Sequence, residues 1–288
     1  MFYVWKFVST AALGFGLLAC TQNHSTQSQS TSGKTTQNVG SEKTLKMGLS
    51  ADYPPFEFKK NGEVVGFDVD VAQAVARELG YTLSIQDMDF SSIIPSLQSG
   101  QIDFAMAGMT VTEERKKNME FSDTYFTSSF ALIVPRSDAN TGVNTNTGAG
   151  GNANAGVVSK DLSKTLADLS GKKIGVQLGT TMEKFAKEKA KQDPSIQVVS
   201  LGKYPLLIEE LKSGRLQGVV SEDVQAAAFV QANPVLTYLA LASTGDGYAI
   251  AFQKDKGIEL KNSFNQTLKK LQDSGVLDQI RSKWLGTQ

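Results

Sequence analysis

The chain has 288 residues, 40% of them hydrophobic, enough for one large packed domain or two ordinary ones. Lys plus Arg and Asp plus Glu number 29 each, so the basic excess that recruits phosphate backbones is missing and nucleic acid is not an expected partner. One histidine, His24, and one cysteine, Cys20, cannot furnish a Cys/His zinc site, a Ser-His-Asp or Cys-His nucleophile system or an intramolecular disulfide, and no cofactor is expected.

Residues 1–19 carry one early lysine, Lys6, and then an apolar run from Phe7 to Leu18. That run is too short to span a bilayer and has the make-up of a secretory signal. It ends Leu17-Leu18-Ala19-Cys20, which resembles the lipobox of bacterial lipoproteins, where cleavage precedes the cysteine and its thiol takes diacylglycerol. An ordinary signal peptide with an incidental cysteine is the alternative. Residues 20–42 are mostly Ser, Thr, Gln, Asn, Gly and Lys, too polar to offset the entropy of ordering, and are expected to form a disordered tether. The folded part is therefore expected outside the cytoplasm, in a periplasm or at a cell surface, anchored to a membrane through lipidated Cys20.

From Thr44 onward, short strand-like runs alternate with helical ones. Leu45 to Leu49 alternates with period two. Phe67 to Leu79 places Val71, Ala74, Val75 and Leu79 at helical spacing behind the capping candidates Asp68 and Asp70. A strand over 82–88, a helix over 92–99 and a strand over 102–109 complete a βαβαβ unit. The same rhythm returns with strands over 173–177, 196–201 and 216–220 and helices over 181–192 and 206–212. Ile94-x-x-Leu97-x-Ser99-Gly100-x-Ile102 matches Ile208-x-x-Leu211-x-Ser213-Gly214-x-Leu216, each a helix ended by glycine before a buried strand, although so common a unit also arises by chance. Residues 138–156 are low-complexity Asn, Thr, Gly and Ala and read as a surface insertion. Tyr248 to Phe252 is strand-like, and 259–284 is helical with Gly275 interrupting it, so two helices are expected to pack back on the first lobe.

Ligands of open α/β sheets bind beyond the carboxyl ends of the strands, where loops and helix N-termini present free N–H groups. The segments in that position are Ser50 to Glu57, Asp89-Phe90-Ser91 and Ala107 to Arg115. Thr112 is a candidate N-cap, which puts Arg115 in a first helical turn, where a cation opposes the helix dipole. An anion held by Arg115 and the Thr110 hydroxyl explains the placement; a surface pair with Glu113 or Glu114 explains it equally. Tyr53 and Phe90 read either as ligand-stacking rings or as core plugs.

Five motifs then occur in order: Tyr53-Pro54-Pro55-Phe56-Glu57, Gly66-Phe67-Asp68-Val69-Asp70, Asp89-Phe90-Ser91-Ser92-Ile93-Ile94-Pro95, Ala107-Gly108-Met109-Thr110-x-Thr112-x-x-Arg115 and Phe121-Ser122. They resemble the family 3 extracellular solute-binding proteins that serve ABC importers of polar amino acids, over about Lys43 to Gly286. The resemblance implies an α/β, type II periplasmic-binding-protein fold: two lobes, each a doubly wound, mainly parallel sheet, joined by a two-strand hinge and closing like a clamp. Residues 43–132 with 249–288 would form lobe 1 and 133–248 lobe 2.

Carried over by position, the resemblance implies that Tyr53 and Phe90 sandwich the ligand and that Ala107 and Gly108 offer main-chain groups. Thr110 and Arg115 would hold the α-carboxylate, together with the turn containing Gln177, Thr180 and Thr181. Glu222 would take the α-ammonium, although Asp is usual there and Asp223 stands next to it. Ser50 replaces an acidic residue that in several relatives binds a cationic or amide side chain, which weakens a lysine or arginine assignment without excluding it. The implied protein is a non-enzymatic monomer that delivers a free polar amino acid, glutamine or arginine-like, to ABC permease subunits. A small-acid dehydratase on the same fold and a ligand-sensing receptor are the alternatives.

Overall fold

A computed structural model describes residues 43–136 and 169–286. The expected signal segment 1–19, Cys20, the tether 20–42 and the insertion 138–156 lie outside the described residues. Thirteen strands and eight helices are present among those described. The first sheet contains β1 (Thr44–Leu49), β5 (Thr82–Asp87), β6 (Phe104–Ala105), β7 (Met119–Phe121) and β13 (Ala251–Gln253), in the order β5-β1-β6-β13-β7. β1 runs parallel to β5 and β6, and β13 lies antiparallel to β6 and β7. A small antiparallel meander, β2 (Asp52–Tyr53), β3 (Glu57–Lys60) and β4 (Glu63–Val65), leads from β1 to α1 (Phe67–Glu78). α2 (Phe90–Gln98) and the one-turn α3 (Glu113–Lys116) follow β5 and β6.

The second sheet repeats the plan in the order β10-β9-β11-β8-β12, built from β8 (Phe126–Pro135), β9 (Lys173–Gln177), β10 (Gln197–Leu201), β11 (Gly218–Glu222) and β12 (Leu236–Tyr248). β9 is parallel to β10 and β11, while β8 is antiparallel to β11 and β12. Its helices are α4 (Thr181–Gln192), α5 (Tyr204–Lys212) and α6 (Asp223–Ala232). The short sequence repeat corresponds to equivalent corners: α2 and α5 each end on a serine followed by a glycine with φ of 74° and 75°. A side chain is strained in that left-handed conformation, and the chain turns there into β6 and β11.

Two segments join the sheets, Ser122 to Phe126 and Tyr248 to Ala251, and they run side by side. Tyr125 N–H donates to Tyr248 O at 2.9 Å, Ser122 N–H to Ile250 O at 2.9 Å, and Ile250 N–H to Ser122 Oγ at 2.9 Å. The Tyr248 to Phe252 run expected as one strand is therefore split between β12 and β13, because the chain changes sheets within it. By strand pairing we propose that lobe 1 comprises 43–125 with 249–286 and that 126–136 with 169–248 belong to lobe 2, since the expected boundary at 132/133 falls inside β8.

Three local expectations change. The strand over 102–109 keeps regular pairing only at Phe104–Ala105, because the chain then turns through Gly108 at φ 54° to form a wall of the cleft. Asp68 and Asp70 do not cap α1, whose N-cap is Gly66. Asp68 is fully buried and accepts from Gly108 N–H at 3.0 Å and Tyr125 OH at 2.8 Å, while Asp70 accepts from Lys283 at 2.6 Å and Trp284 Nε1 at 2.7 Å. The strand over 216–220 slides to Gly218–Glu222, which puts Glu222 at its carboxyl end.

Gly275, at φ 77°, separates α7 (Ile258–Asp273) from α8 (Val276–Leu285), and both pack on α1 in the first lobe. The core under α7 is an aromatic triad. The Phe264 ring centroid lies 4.8 Å from that of Phe104 and 5.2 Å from that of Phe252, and all three are fully buried. Phe264→Ala is expected to destabilise the fold by about 3–5 kcal/mol in denaturant titration, through lost transfer energy and a cavity that the sheet cannot collapse to fill.

Candidate ligand-binding cleft

The two sheets direct the carboxyl ends of β1, β6, β9 and β11 toward one another. A cavity there is lined by Ser50, Asp52, Tyr53, Glu57, Phe90, Ala107, Gly108, Thr110, Arg115, Gln177, Thr180, Thr181 and Met182. Every residue expected from sequence to contact ligand lines this cavity except Glu222, which reaches it through Tyr53.

Arg115 is placed by a cap and a turn. Thr112 Oγ1 accepts Arg115 N–H at 3.1 Å and starts α3, and the side chain folds back to donate from Nη1 to Thr110 O at 2.8 Å. Nη2 donates at 3.1 Å to Gly179 O in the opposite lobe. The guanidinium carbon lies 5.5 Å from the Phe90 ring centroid, a cation–π distance. Burial lowers the Arg115 pKa to about 10, so the group stays cationic at neutral pH. Glu113 pairs with Lys116 at 2.7 Å and Glu114 with Lys184 at 3.4 Å, so the surface pairing of Arg115 is not the one formed. A guanidinium has five N–H donors; two are used here, leaving three for an anion.

The facing wall comes from the turn after β9. Thr180 caps α4: its Oγ1 accepts Glu183 N–H at 3.1 Å and donates to Gln177 O at 2.7 Å, while Glu183 reaches back to Gly179 N–H at 2.8 Å. This is close to a capping box and fixes the turn that carries Thr181. The Thr181 hydroxyl stands 3.5 Å from that of Thr110 across the cleft. Main-chain roles are more divided: Gly108 N–H is taken by Asp68, and a Cβ at Gly108 would lie 2.9 Å from the Tyr53 ring. Only glycine lets this wall approach Tyr53 so closely.

Glu222 ends β11 and accepts hydrogen bonds from the hydroxyls of Tyr53 in lobe 1 and Tyr248 at the hinge, which are 2.9 Å from each other. Burial pushes its pKa up to about 8, helped by neighbouring Asp223 and opposed by the Tyr53 hydrogen bond and by Arg115. Asp223 turns away, accepting from Ser128 Oγ at 2.5 Å and Val224 N–H at 2.8 Å. Of the two acidic candidates, Glu222 is the one in contact with a cleft residue.

Sequence reasoning missed Asp52, Glu57 and Tyr248. Asp52 accepts from Ser50 Oγ at 2.8 Å and, across the lobes, from Gln177 Nε2 at 3.2 Å and Tyr204 N–H at 2.9 Å. Burial is the largest influence on its pKa, which is raised. Glu57 is fully buried, and no N–H or O–H group among the described residues donates to either carboxyl oxygen; Asp68 Oδ1 is likewise without a donor. Burial, and then the charge of Asp68, pushes Glu57 well above the usual carboxylate range, and burial raises Asp68 to about 6. The signal for Asp52 and Glu57 was their position directly beside Tyr53 and Phe56 after β1.

The model of the bacterial extracellular solute-binding proteins, family 3, matches residues 45–287. The chain belongs to that family. The chain is similar to the arginine-binding extracellular protein ArtP of Bacillus subtilis, 37% identical over 284 residues and 97% of each chain. Among solved structures, an ancestral arginine-binding protein bound to arginine is 39% identical, with TM-score 0.72, covering 84% of this chain and 98% of that one. The same type of ancestral protein bound to glutamine is 38% identical, with TM-score 0.72, covering 86% and 100%. These likenesses place the chain among exported solute-binding proteins of type II two-lobed fold rather than among enzymes. No described helix is long and apolar enough to cross a membrane.

Proposed function

We propose that this family 3 protein is the substrate-binding component of an ABC importer and that its solute is a cationic L-amino acid, arginine foremost. The observation that carries the choice is Glu57: a fully buried carboxyl group in the cleft wall that no donor among the described residues reaches, with Asp52 beside it in the same wall. A buried carboxyl without a donor is costly, and a guanidinium or ammonium entering the cleft supplies the missing donors and charge. Asp52 and Glu57 thus take over the part that the acidic residue at the Ser50 position plays in several relatives. The names of ArtP and of the arginine-bound ancestral structure agree with this choice, and the glutamine-bound structure shows that such a scaffold also admits a neutral side chain.

In this reading Arg115 and the hydroxyls of Thr110 and Thr181 hold the α-carboxylate, and Glu222, presented with Tyr53 and Tyr248, takes the α-ammonium. Tyr53 and Phe90 flank the aliphatic part of the ligand. Arg115 lies in lobe 1 and Glu222 in lobe 2, so both ends of a zwitterion are satisfied only when the lobes are shut, and the shut form is what the permease subunits recognise. Cys20 carries the lipid anchor, the protein acts as a monomer, and Ala107 completes the main-chain contacts.

A thermal-shift screen of the twenty amino acids tests the assignment. Arginine is expected to raise Tm most, since a ligand at about a hundred times its Kd stabilises by about 2.7 kcal/mol, with glutamine weaker and acidic amino acids inert. A panel in which no basic amino acid raises Tm overturns the cationic choice.

A further inference from the structure

One cluster spanning the two lobes lies largely outside the ligand contacts. Helix α5 begins without a side-chain cap of its own. Its first N–H, from Tyr204, is capped instead by Asp52 of the opposite lobe at 2.9 Å, so a carboxylate sits at the positive end of that helix only when the lobes meet. The preceding residue, Lys203, reaches the same way. Its Nζ donates to Ser50 Oγ at 3.1 Å and Met88 O at 3.0 Å, and lies 3.4 Å from Asp89 Oδ1 and 3.6 Å from Asp87 Oδ1. Backbone approach is close here as well: a Cβ on Gly202 would stand 3.2 Å from Asp89 Oδ2.

We propose that Lys203 and the N-terminus of α5 form a latch against Ser50, Asp52, Met88 and Asp89 that holds the lobes shut whichever solute is inside. Lys203 is absent from the residues lining the cavity, so it is a positioning residue: it sets affinity through the population of the closed form and not by touching ligand. Apparent affinity scales with the fraction of molecules that are closure-competent, so weakening a latch lowers affinity for every solute by one common factor. The cluster is also ionic and partly open to solvent, with the Lys203 side chain 30% exposed and that of Asp89 54% exposed, so salt weakens it.

This inference rests on the clamp-like closure in the proposed function but not on the choice of arginine. Lys203→Ala is the test, with Asp89→Asn as a milder second variant, using two amino acids that bind the wild type and differ in side chain. Lys203→Ala is expected to lower both affinities by the same factor, on the order of tenfold, given two lost charge-assisted hydrogen bonds in a half-exposed setting. Asp89→Asn is expected to lower both by a smaller common factor. Small-angle scattering of the ligand-free protein is expected to show a larger radius of gyration for Lys203→Ala, a readout that needs no ligand. Added salt is expected to weaken wild-type binding more than binding by Lys203→Ala. Unchanged affinities together with an unchanged radius of gyration overturn the latch, and so does a loss confined to one of the two amino acids, which would make Lys203 part of side-chain recognition. Failure of arginine to bind while the scattering difference persists would count against the solute assignment and leave the latch standing.

Discussion

Arg115→Ala is expected to fold with near wild-type stability and to bind its amino acid at least about a hundredfold more weakly in isothermal titration. Each charge-assisted hydrogen bond contributes roughly 1.5–3 kcal/mol net, and a carboxylate held bidentately by a guanidinium makes two. The sum corresponds to about two to four decades in Kd. Stability is largely spared because Arg115 makes two hydrogen bonds to main-chain carbonyls, Thr110 O and Gly179 O, at the edge of the cleft, and none in the aromatic core. Arg115→Lys is expected to recover only part of the loss: an ammonium keeps the charge but not the planar fork, and cannot bond Thr110 O, Gly179 O and a carboxylate in one plane. Affinity of Arg115→Ala within threefold of wild type, or thereabouts, would remove the guanidinium from the site.

The βαβ rhythm of both lobes was legible because buried parallel strands and amphipathic helices leave periodic apolar patterns, and β9 and α4 fall where the sequence places them. The elements near the hinge were not. β8 and β12 belong to the second sheet only by long-range antiparallel pairing, and α6 is a short Ala-rich helix without a clear apolar stripe. At the site, Arg115 and Thr110 were visible because Thr112 is a local cap signal. Asp52 was not visible as an inter-lobe contact, because its partners Gln177 and Tyr204 lie more than a hundred residues away. In sequence Glu57 reads only as the end of the segment after β1 and Asp68 as a helix cap; the burial of Asp68 against Gly108 and Tyr125 is a consequence of tertiary packing.

Most of the inter-lobe polar contacts involve residues that line the cleft: Arg115 to Gly179 O, Gln177 to Asp52 and Glu222 to Tyr53. Solute recognition and domain closure therefore draw on the same side chains. A ligand that enters must replace or share these contacts, and it favours the shut form only to the extent that it improves on them. That condition makes electrostatic fit decisive, since the cleft offers one guanidinium and several carboxyls.

Glu57→Gln is expected to cost arginine about a hundredfold in affinity while leaving glutamine binding nearly unchanged, because it removes a buried counter-charge without changing shape. The fold should tolerate the change, since the amide can donate to Asp68 Oδ1, which otherwise has no donor. The two ligands also differ in proton linkage, and the sign follows from the carboxyl groups. Glu57 holds its proton above the usual carboxylate range, and an arriving guanidinium stabilises its ionised form, so its pKa falls on binding and a proton is released. Arginine affinity should then rise with pH upward from the ordinary carboxylate range. Glu222, at about 8 in the closed arrangement, adds a release of the same sign for every amino acid, because all of them bring an α-ammonium. The excess for arginine over glutamine isolates Glu57, and calorimetry in two buffers of different ionisation enthalpy should find an excess proton release for arginine in wild type that vanishes in Glu57→Gln. Equal proton release for both amino acids in wild type would mean that Glu57 does not face the bound side chain.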